Sequence, residues 1–295
     1  MTGLSFSGLW YINADFASHM SGIIFPRLQA GKDPFPSYLI QASNSNTALP
    51  SLTGTRDEFG EFSEDRYYLK QFQKAGGGDV AVFPIEGSMS RNGYCNMGNE
   101  QLARIVALAK KEPSIRAAVV RPNTPGGTVD STRMLTEAFN DFQSSKPLIA
   151  QTPFCCSAGY FSVSGAQEIW AEDQTETRVG SIGVLAVYMD QSKAIEKQGL
   201  SVQIIRADGS EQKSLINGIE PLTDELKAEM KAEMNEARQE FIGFVRRGRA
   251  GKITSDEVFT GAVFKNKKAL ELGLIDRIGS LQQAIARARQ LGKSA

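Results

Sequence analysis

At 295 residues, 41% hydrophobic and 22% charged, the chain has enough apolar material for one large α/β domain or a domain with a sizeable appendage. Its 33 basic and 33 acidic residues cancel, so no global field draws it to nucleic acid or to an anionic membrane surface. No run approaches the ~20 apolar residues of a membrane span. The opening MTGLSFSGLWYINADFASHM lacks the basic-then-apolar order of a signal peptide, so the expectation is a cytoplasmic protein without a membrane anchor.

Residues 1–78 differ from the rest. A helix is expected within NADFASHMSGIIFPRL, followed by a polar stretch, 41–65, whose Gly, Pro, Ser and Asn content reads as a mobile loop and a candidate self-processing site. A short helix, EDRYYLKQFQKA, then runs into Gly76-Gly77-Gly78. That joint is taken as the boundary between an N-terminal segment, 1–78, and a main domain, 79–295.

From residue 79 the pattern is regular. DVAVFPIEG reads as a strand, and NEQLARIVALAKKEP as a helix with Leu102, Ile105, Val106 and Ala109 on one face. IRAAVVRPN is a second strand. DSTRMLTEAFNDFQ opens with an N-cap pair and carries Met134, Leu135, Ala138, Phe139 and Phe142 on one stripe. KPLIAQTP is a third strand, SIGVLAVYMD and LSVQIIRAD two more, and a long helix is expected over 223–247 with Leu226, Met230, Met234 and Phe241 near one face. Strands alternating with helices imply parallel pairing through right-handed crossovers.

In such folds the loops beyond the strand ends carry function. NTPGGTVDST (123–132) is a Pro-Gly-Gly turn that presents backbone N–H groups as an oxyanion hole requires, though it is equally an ordinary tight turn. FCCSAGYFSVSG (154–165) places Ser157 at a helix start, as a nucleophile or a simple N-cap, with Cys156 as rival nucleophile. The single histidine, His19, lies far upstream, and with only Cys95, Cys155 and Cys156 there is neither a disulfide framework nor a zinc set; no metal and no cofactor is expected. A serine without histidine can use a lysine whose pKa is lowered by burial. Lys213, in RADGSEQKSLINGIEPLTDE, is the candidate, against the plain reading of an exposed loop lysine, while Lys193 and Lys197 read as solvated helix residues.

Taken in order, these motifs resemble the signal peptide peptidase A family of serine proteases, including its phage head-maturation members. VFPIEGSM resembles the family's opening strand, and RPNTPGGTVDS its S-P-G-G loop, with Thr124 for the usual Ser. FCCSAGYFSVSGA is similar to the nucleophile segment, with Cys155-Cys156 in place of small residues. VGSIGVL, GSEQKSLINGIEPLT and VFTGAVFKNKKALELGLIDRIGSLQQAI match the later motifs, so that about residues 80–290 are covered. The resemblance implies a Clp protease/crotonase-like α/β spiral with an N-terminal appendage. It makes Ser157 the nucleophile, Lys213 the base, Gly127 and the Ala158 N–H the oxyanion hole, and Ser181 a group that orients the lysine.

It also implies polypeptide substrates and a homo-oligomer. The GLWYINADFASHM opening looks like that of phage or prophage members, so the expected role is capsid maturation on scaffold and coat proteins, in the host cytoplasm or the assembling head. A soluble housekeeping peptidase and a non-proteolytic head-assembly module are the alternatives. A crotonase-type acyl-CoA enzyme is disfavoured because its usual carboxylate acid/base pair is not apparent.

Overall fold

The computed structural model describes residues 10–12, 55–57, 60–93 and 96–294. The expected helix within 13–28, most of the 41–65 loop, His19 and Cys95 lie outside the described residues. A short strand, β1 (Trp10–Ile12), precedes α1 (Glu64–Ala75), β2 (Val80–Glu86) and α2 (Asn99–Lys111). Next come β3 (Ala117–Thr124), β4 (Gly126–Thr128), α3 (Thr132–Gln143), β5 (Leu148–Thr152), β6 (Phe154–Cys156) and α4 (Ala158–Val163). The chain continues through β7 (Glu168–Ala171), β8 (Arg178–Gly180), α5 (Ser192–Lys197) and the long α6 (Asp224–Gly248). It closes with a 3-10 turn at Asp256–Phe259, β9 (Val263–Lys265), α7 (Asn266–Glu271), β10 (Arg277–Ile278) and α8 (Leu281–Ser294).

The α/β class read from the sequence is the one found. Strands β2, β3, β5, β7 and β10 pair in parallel, as do β3, β6 and β8; in this sheet, among the described residues, only β9 joins antiparallel. The sheet splits along β3. Its first half pairs with β5 (Ala118 opposite Leu148) and its last residues with β6 (Asn123 opposite Phe154), so the partner gains one residue at Pro153. Such an extra residue bends a strand, and here it diverts the chain from the main sheet toward β8.

Period-two alternation explains the layers. Ala118 and Val120 of β3 face the larger core with Phe83, Ile105, Leu135 and Phe142. Ala117 and Val119 face a second, smaller core with Ile149, Trp170, Ala284 and Ala288. The alanines of α8, four residues apart, let that helix lie close to the sheet. On the other side the stripe expected on α2, Leu102, Ile105, Val106 and Ala109, is wholly buried. The helix at EDRYYLKQFQKA forms over Glu64–Ala75, and its Leu69 and Phe72 join the larger core, where Phe72 meets Phe83 edge-on at 6.0 Å.

Three expectations of local structure are corrected. Neither 181–190 nor 200–208 forms a strand: apart from a single bridge residue both run as irregular chain with Val187, Leu200, Val202 and Ile205 exposed, because among the described residues no neighbouring strand offers them an edge. The α3 start is not capped by the Asp130-Ser131 pair. Ser131 is left-handed (φ 68°), its hydroxyl accepts from Asn99 Nδ2 at 3.0 Å, and Asp130 pairs with Arg91 at 2.9 Å. The helix expected over 223–247 is α6; its Phe241, Ile242 and Val245 are buried, whereas Leu226, Met230 and Met234 stay half-exposed.

A buried ion pair ties the C-terminal motif to the sheet. Arg249, fully buried, donates to Asp276 at 2.7 and 3.1 Å and to the Gly273 carbonyl at 3.0 and 2.8 Å. Asp276 also accepts from Lys252 at 2.7 Å and from the Ile169 N–H of β7 at 2.8 Å. Burial alone would raise the Asp276 pKa; the bonds from Arg249, Lys252 and Ile169 outweigh it and hold the carboxyl below its usual range. Removing one partner strands the other charge without compensation. Asp276→Asn is therefore expected to cost on the order of 3 kcal/mol in urea unfolding, against less than about 1 kcal/mol for Arg246→Ala at the exposed Arg246–Asp256 pair.

Candidate active site

β6 ends inside the core, clamped on both sides: Cys155 lies opposite Thr124 and Val179, and Cys156 opposite Gly180. The next residue, Ser157, has φ 55° and ψ −119°, a conformation costly for a residue with a side chain. Its backbone is fixed at both ends, the N–H donating to Gly180 O at 2.8 Å and the carbonyl accepting from Phe161 N at 2.9 Å. The side chain does not cap α4. Its Oγ is fully buried and has no hydrogen-bond partner, an omission worth about 1–3 kcal/mol of lost stability. Ser157 thus combines a strained backbone with an unpartnered buried hydroxyl, the combination that makes it the candidate nucleophile.

The helix behind Ser157 is immobilised by packing. Phe161 lies between Phe241 (4.9 Å) and Phe244 (4.8 Å) of α6, and the Tyr160 hydroxyl donates to Leu274 O at 2.8 Å. Gly159 cannot carry a side chain, since a Cβ there meets the Thr124 methyl at 2.4 Å. Thr124, which the sequence comparison singled out as a departure, also supports the Pro-Gly-Gly turn: its hydroxyl donates to Gly87 O at 2.5 Å and accepts from Gly126 N at 3.0 Å. Gly127 is required for close approach, a Cβ there falling 1.9 Å from Met89 O.

Four of the five expected site residues gather on adjacent chain ends. Ala158 follows Ser157 as the first residue of α4, where an N–H has no carbonyl of its own helix to reach. Gly127 sits on β4, against which α4 packs. Ser181 (φ 56°) follows Gly180, the residue that holds the Ser157 N–H, and its own N–H donates to Ala262 O at 2.7 Å. Cys155 is fully buried; burial, with the neighbouring Cys156 thiol adding to it, pushes its pKa well up and keeps it protonated. A buried protonated thiol is inert.

Lys213 is not brought to Ser157 within this chain. It lies exposed on the 206–220 loop, and its amine makes no hydrogen bond or ion pair with any described residue. Glu211, the nearest acid in sequence, accepts instead from the Gly209 N–H at 2.9 Å. The loop itself is built. Arg206 Nε donates to the Lys213 carbonyl at 2.6 Å, its Nη2 donates to Ser214 O at 3.0 Å, and the same guanidinium pairs with Glu220. Asn217 closes the turn, donating to Ser214 O and Glu220 at 2.7 Å while its Oδ1 accepts from the Ile219 and Glu220 N–H groups. Sequence reading missed Arg206 and Glu220, whose only signal was opposite charge at the two ends of the lysine segment.

The sequence profile of peptidase family S49 matches residues 140–294, more than half of the chain. The chain belongs to peptidase family S49. Its S49 domain carries Ser157, Ser181 and Lys213, and the family is one of serine peptidases. Curated relatives include Protease 4 of Haemophilus influenzae, 29% identical over 219 residues, covering 72% of this chain and 34% of that protein. The chloroplastic Serine protease SPPA of Arabidopsis thaliana is 29% identical over 241 residues, covering 81% of this chain and 33% of that one. Capsid assembly protease C of Escherichia phage lambda is 26% identical over 216 residues, 70% of this chain and 48% of the phage protein. The chain thus spans about a third of the length of the first two. Among the described residues no helix is long and apolar enough to cross a membrane.

The S49 lysine loop has a pH signature. Hydrogen bonds from Arg206 and then Asn217 bring the Glu220 carboxyl down to about 2 from 4.5. A depressed carboxylate contributes above its unfolded pKa and is lost as pH falls through the folded one. Amide exchange of Lys213 and its neighbours, corrected for intrinsic rates, is expected to stay slow from neutral pH down to about 4 and to accelerate towards pH 2. Glu220→Gln should show the fast exchange already at pH 7.

Proposed function

We propose that this S49 chain is an endopeptidase in which Ser157 is the nucleophile and Lys213 the general base, with the Gly127 and Ala158 N–H groups taking the oxyanion and Ser181 orienting the lysine. The observation that carries the reading is the buried, unpartnered Ser157 hydroxyl on a left-handed backbone. As Ser157 Oγ attacks a peptide carbonyl carbon, its proton passes to the neutral amine of Lys213 and the carbonyl π pair moves onto oxygen. The ammonium then protonates the departing amine as the C–N bond breaks, and water, deprotonated by the same lysine, releases the acyl group.

The amine reaches Ser157 by movement of the clasped 206–220 loop or from a second copy of the chain. The second route fits the exposed apolar surface: Val187, Leu200, Val202, Ile205 and Ile216 lie on the same arm, and Ile205 is 90% exposed. These exposed apolar side chains, together with the half-exposed Leu226, Met230 and Met234 of α6, are surface that a homo-oligomer would cover.

For the substrate, the reading is a phage-type maturation protease acting on scaffold and coat polypeptides, supported by the likeness to the lambda capsid assembly protease. The likeness to Protease 4 supports a housekeeping peptidase equally well. A non-proteolytic assembly module has no use for a strained serine and is the weaker reading.

Casein hydrolysis tests the dyad. Ser157→Ala and Lys213→Arg are each expected to lose roughly 1000-fold in rate, the latter because a guanidinium stays protonated, with the urea midpoint unchanged in Lys213→Arg and raised in Ser157→Ala, which removes the unpartnered buried hydroxyl. Cys156→Ala should remain active. Mixing the two inactive variants restores activity if the lysine arrives from a second copy and leaves none if it arrives by loop movement. Co-expression with phage capsid and scaffold polypeptides separates the roles: shortening by the wild type alone supports maturation, and intact polypeptides with active enzyme favour housekeeping.

A further inference from the structure

β4 is a three-residue strand with one edge filled by the main domain. Met89 N donates to Gly126 O at 2.9 Å and Thr128 N to Met89 O at 3.0 Å. Because successive residues of a strand point their backbone groups to opposite edges, the N–H and C=O of Gly127 face the other way. That edge is covered by β1, antiparallel, with Trp10 opposite Thr128, Tyr11 opposite Gly127 and Ile12 opposite Gly126. Tyr11 is thus the residue toward which both backbone groups of Gly127 are turned, and Gly127 lies three residues beyond Thr124, which pairs with β6 two residues before Ser157.

An extended polypeptide presented to Ser157 needs an open strand edge close to it, and this edge already carries backbone of the same chain. We propose that Trp10–Ile12 is a resident strand, held on β4 in the place of an extended substrate, and that a polypeptide must displace it to be cleaved. The pairing suits exchange. It has three residue pairs and a partner more than a hundred residues away in sequence, and among the described residues β1 pairs with no other strand. A lone short two-stranded pairing is marginal in water, so belonging to the same chain is what keeps it seated. The catalytic consequence rests on Ser157 as nucleophile; the docking itself does not.

The test uses the full chain with Tyr11→Pro, which removes the N–H that Gly127 C=O accepts and breaks the pairing at its centre. The probe is a fluorescent synthetic peptide of residues 6–16, FSGLWYINADF, titrated by anisotropy onto Ser157→Ala protein with and without Tyr11→Pro. The expected result is binding at least about tenfold tighter to the Tyr11→Pro chain, whose edge is open. In the Ser157-containing pair, Tyr11→Pro should raise casein hydrolysis several-fold at subsaturating substrate. A triple glycine variant, Trp10→Gly with Tyr11→Gly and Ile12→Gly, weakens the strand without adding a ring and gives the same readouts where the proline variant does not fold. Equal peptide affinity in both chains, or no binding to either, overturns the proposal, as does unchanged casein hydrolysis by an active enzyme. Tighter peptide binding with no hydrolysis by any Ser157 chain upholds the resident strand and instead removes the dyad reading.

Discussion

The site depends on one constrained residue. Ser157 joins a strand buried between two neighbours to a helix pinned by three aromatic rings, and the join requires a left-handed backbone at a residue with a side chain. Such a conformation costs of order 1–3 kcal/mol and persists only where the surroundings over-determine it. Here they do. The Gly180 carbonyl fixes the N–H, Phe161 fixes the carbonyl, the Tyr160 hydroxyl ties the helix to Leu274, and the Thr124 methyl occupies the space a side chain on Gly159 would take. Moving Ser157 into a relaxed conformation means undoing several of these contacts together.

The same logic links distant motifs. Leu274, which receives the Tyr160 hydroxyl, belongs to the segment whose Asp276 is gripped by Arg249, Lys252 and the Ile169 N–H. The C-terminal run that resembles a family signature is therefore the wall against which the helix after Ser157 is set. The 206–220 loop is held differently, by its own Arg206–Glu220–Asn217 clasp and by the Tyr188 hydroxyl and Gln191 N–H, which donate to the Glu220 and Gly218 carbonyls. Ser157 is thus fixed by the core, whereas Lys213 is fixed only by its own loop.

Much of the fold beyond residue 79 was legible because burial imposes a period. Leu102, Ile105, Val106 and Ala109 announced α2, and the unbroken apolar runs at 80–85 and 117–120 announced strands buried on both faces. Periodicity failed where packing does not follow it. The 181–190 and 200–208 stretches have strand composition, yet among the described residues they find no strand edge and leave Ile205 exposed. Ser131 has the composition of a cap, but Asn99 claims its hydroxyl and its backbone turns left-handed. The segments that carry Ser157, Gly127 and Lys213 were readable as ordered motifs, but that Lys213 stays exposed and away from Ser157 within this chain was not. The positive φ of Ser157, the Thr124–Gly159 contact and the Arg206–Glu220 clasp were not, since each depends on residues brought together only by the fold.

The central claim is that the strained Ser157 hydroxyl is the reactive group, and an irreversible fluorophosphonate measures it most directly. After incubation at neutral pH and proteolytic digestion, mass spectrometry should place a single stoichiometric adduct on Ser157, absent when the protein is first unfolded in urea. An adduct on Cys156 or another residue, or full casein hydrolysis by a protein that takes up no label, would contradict it.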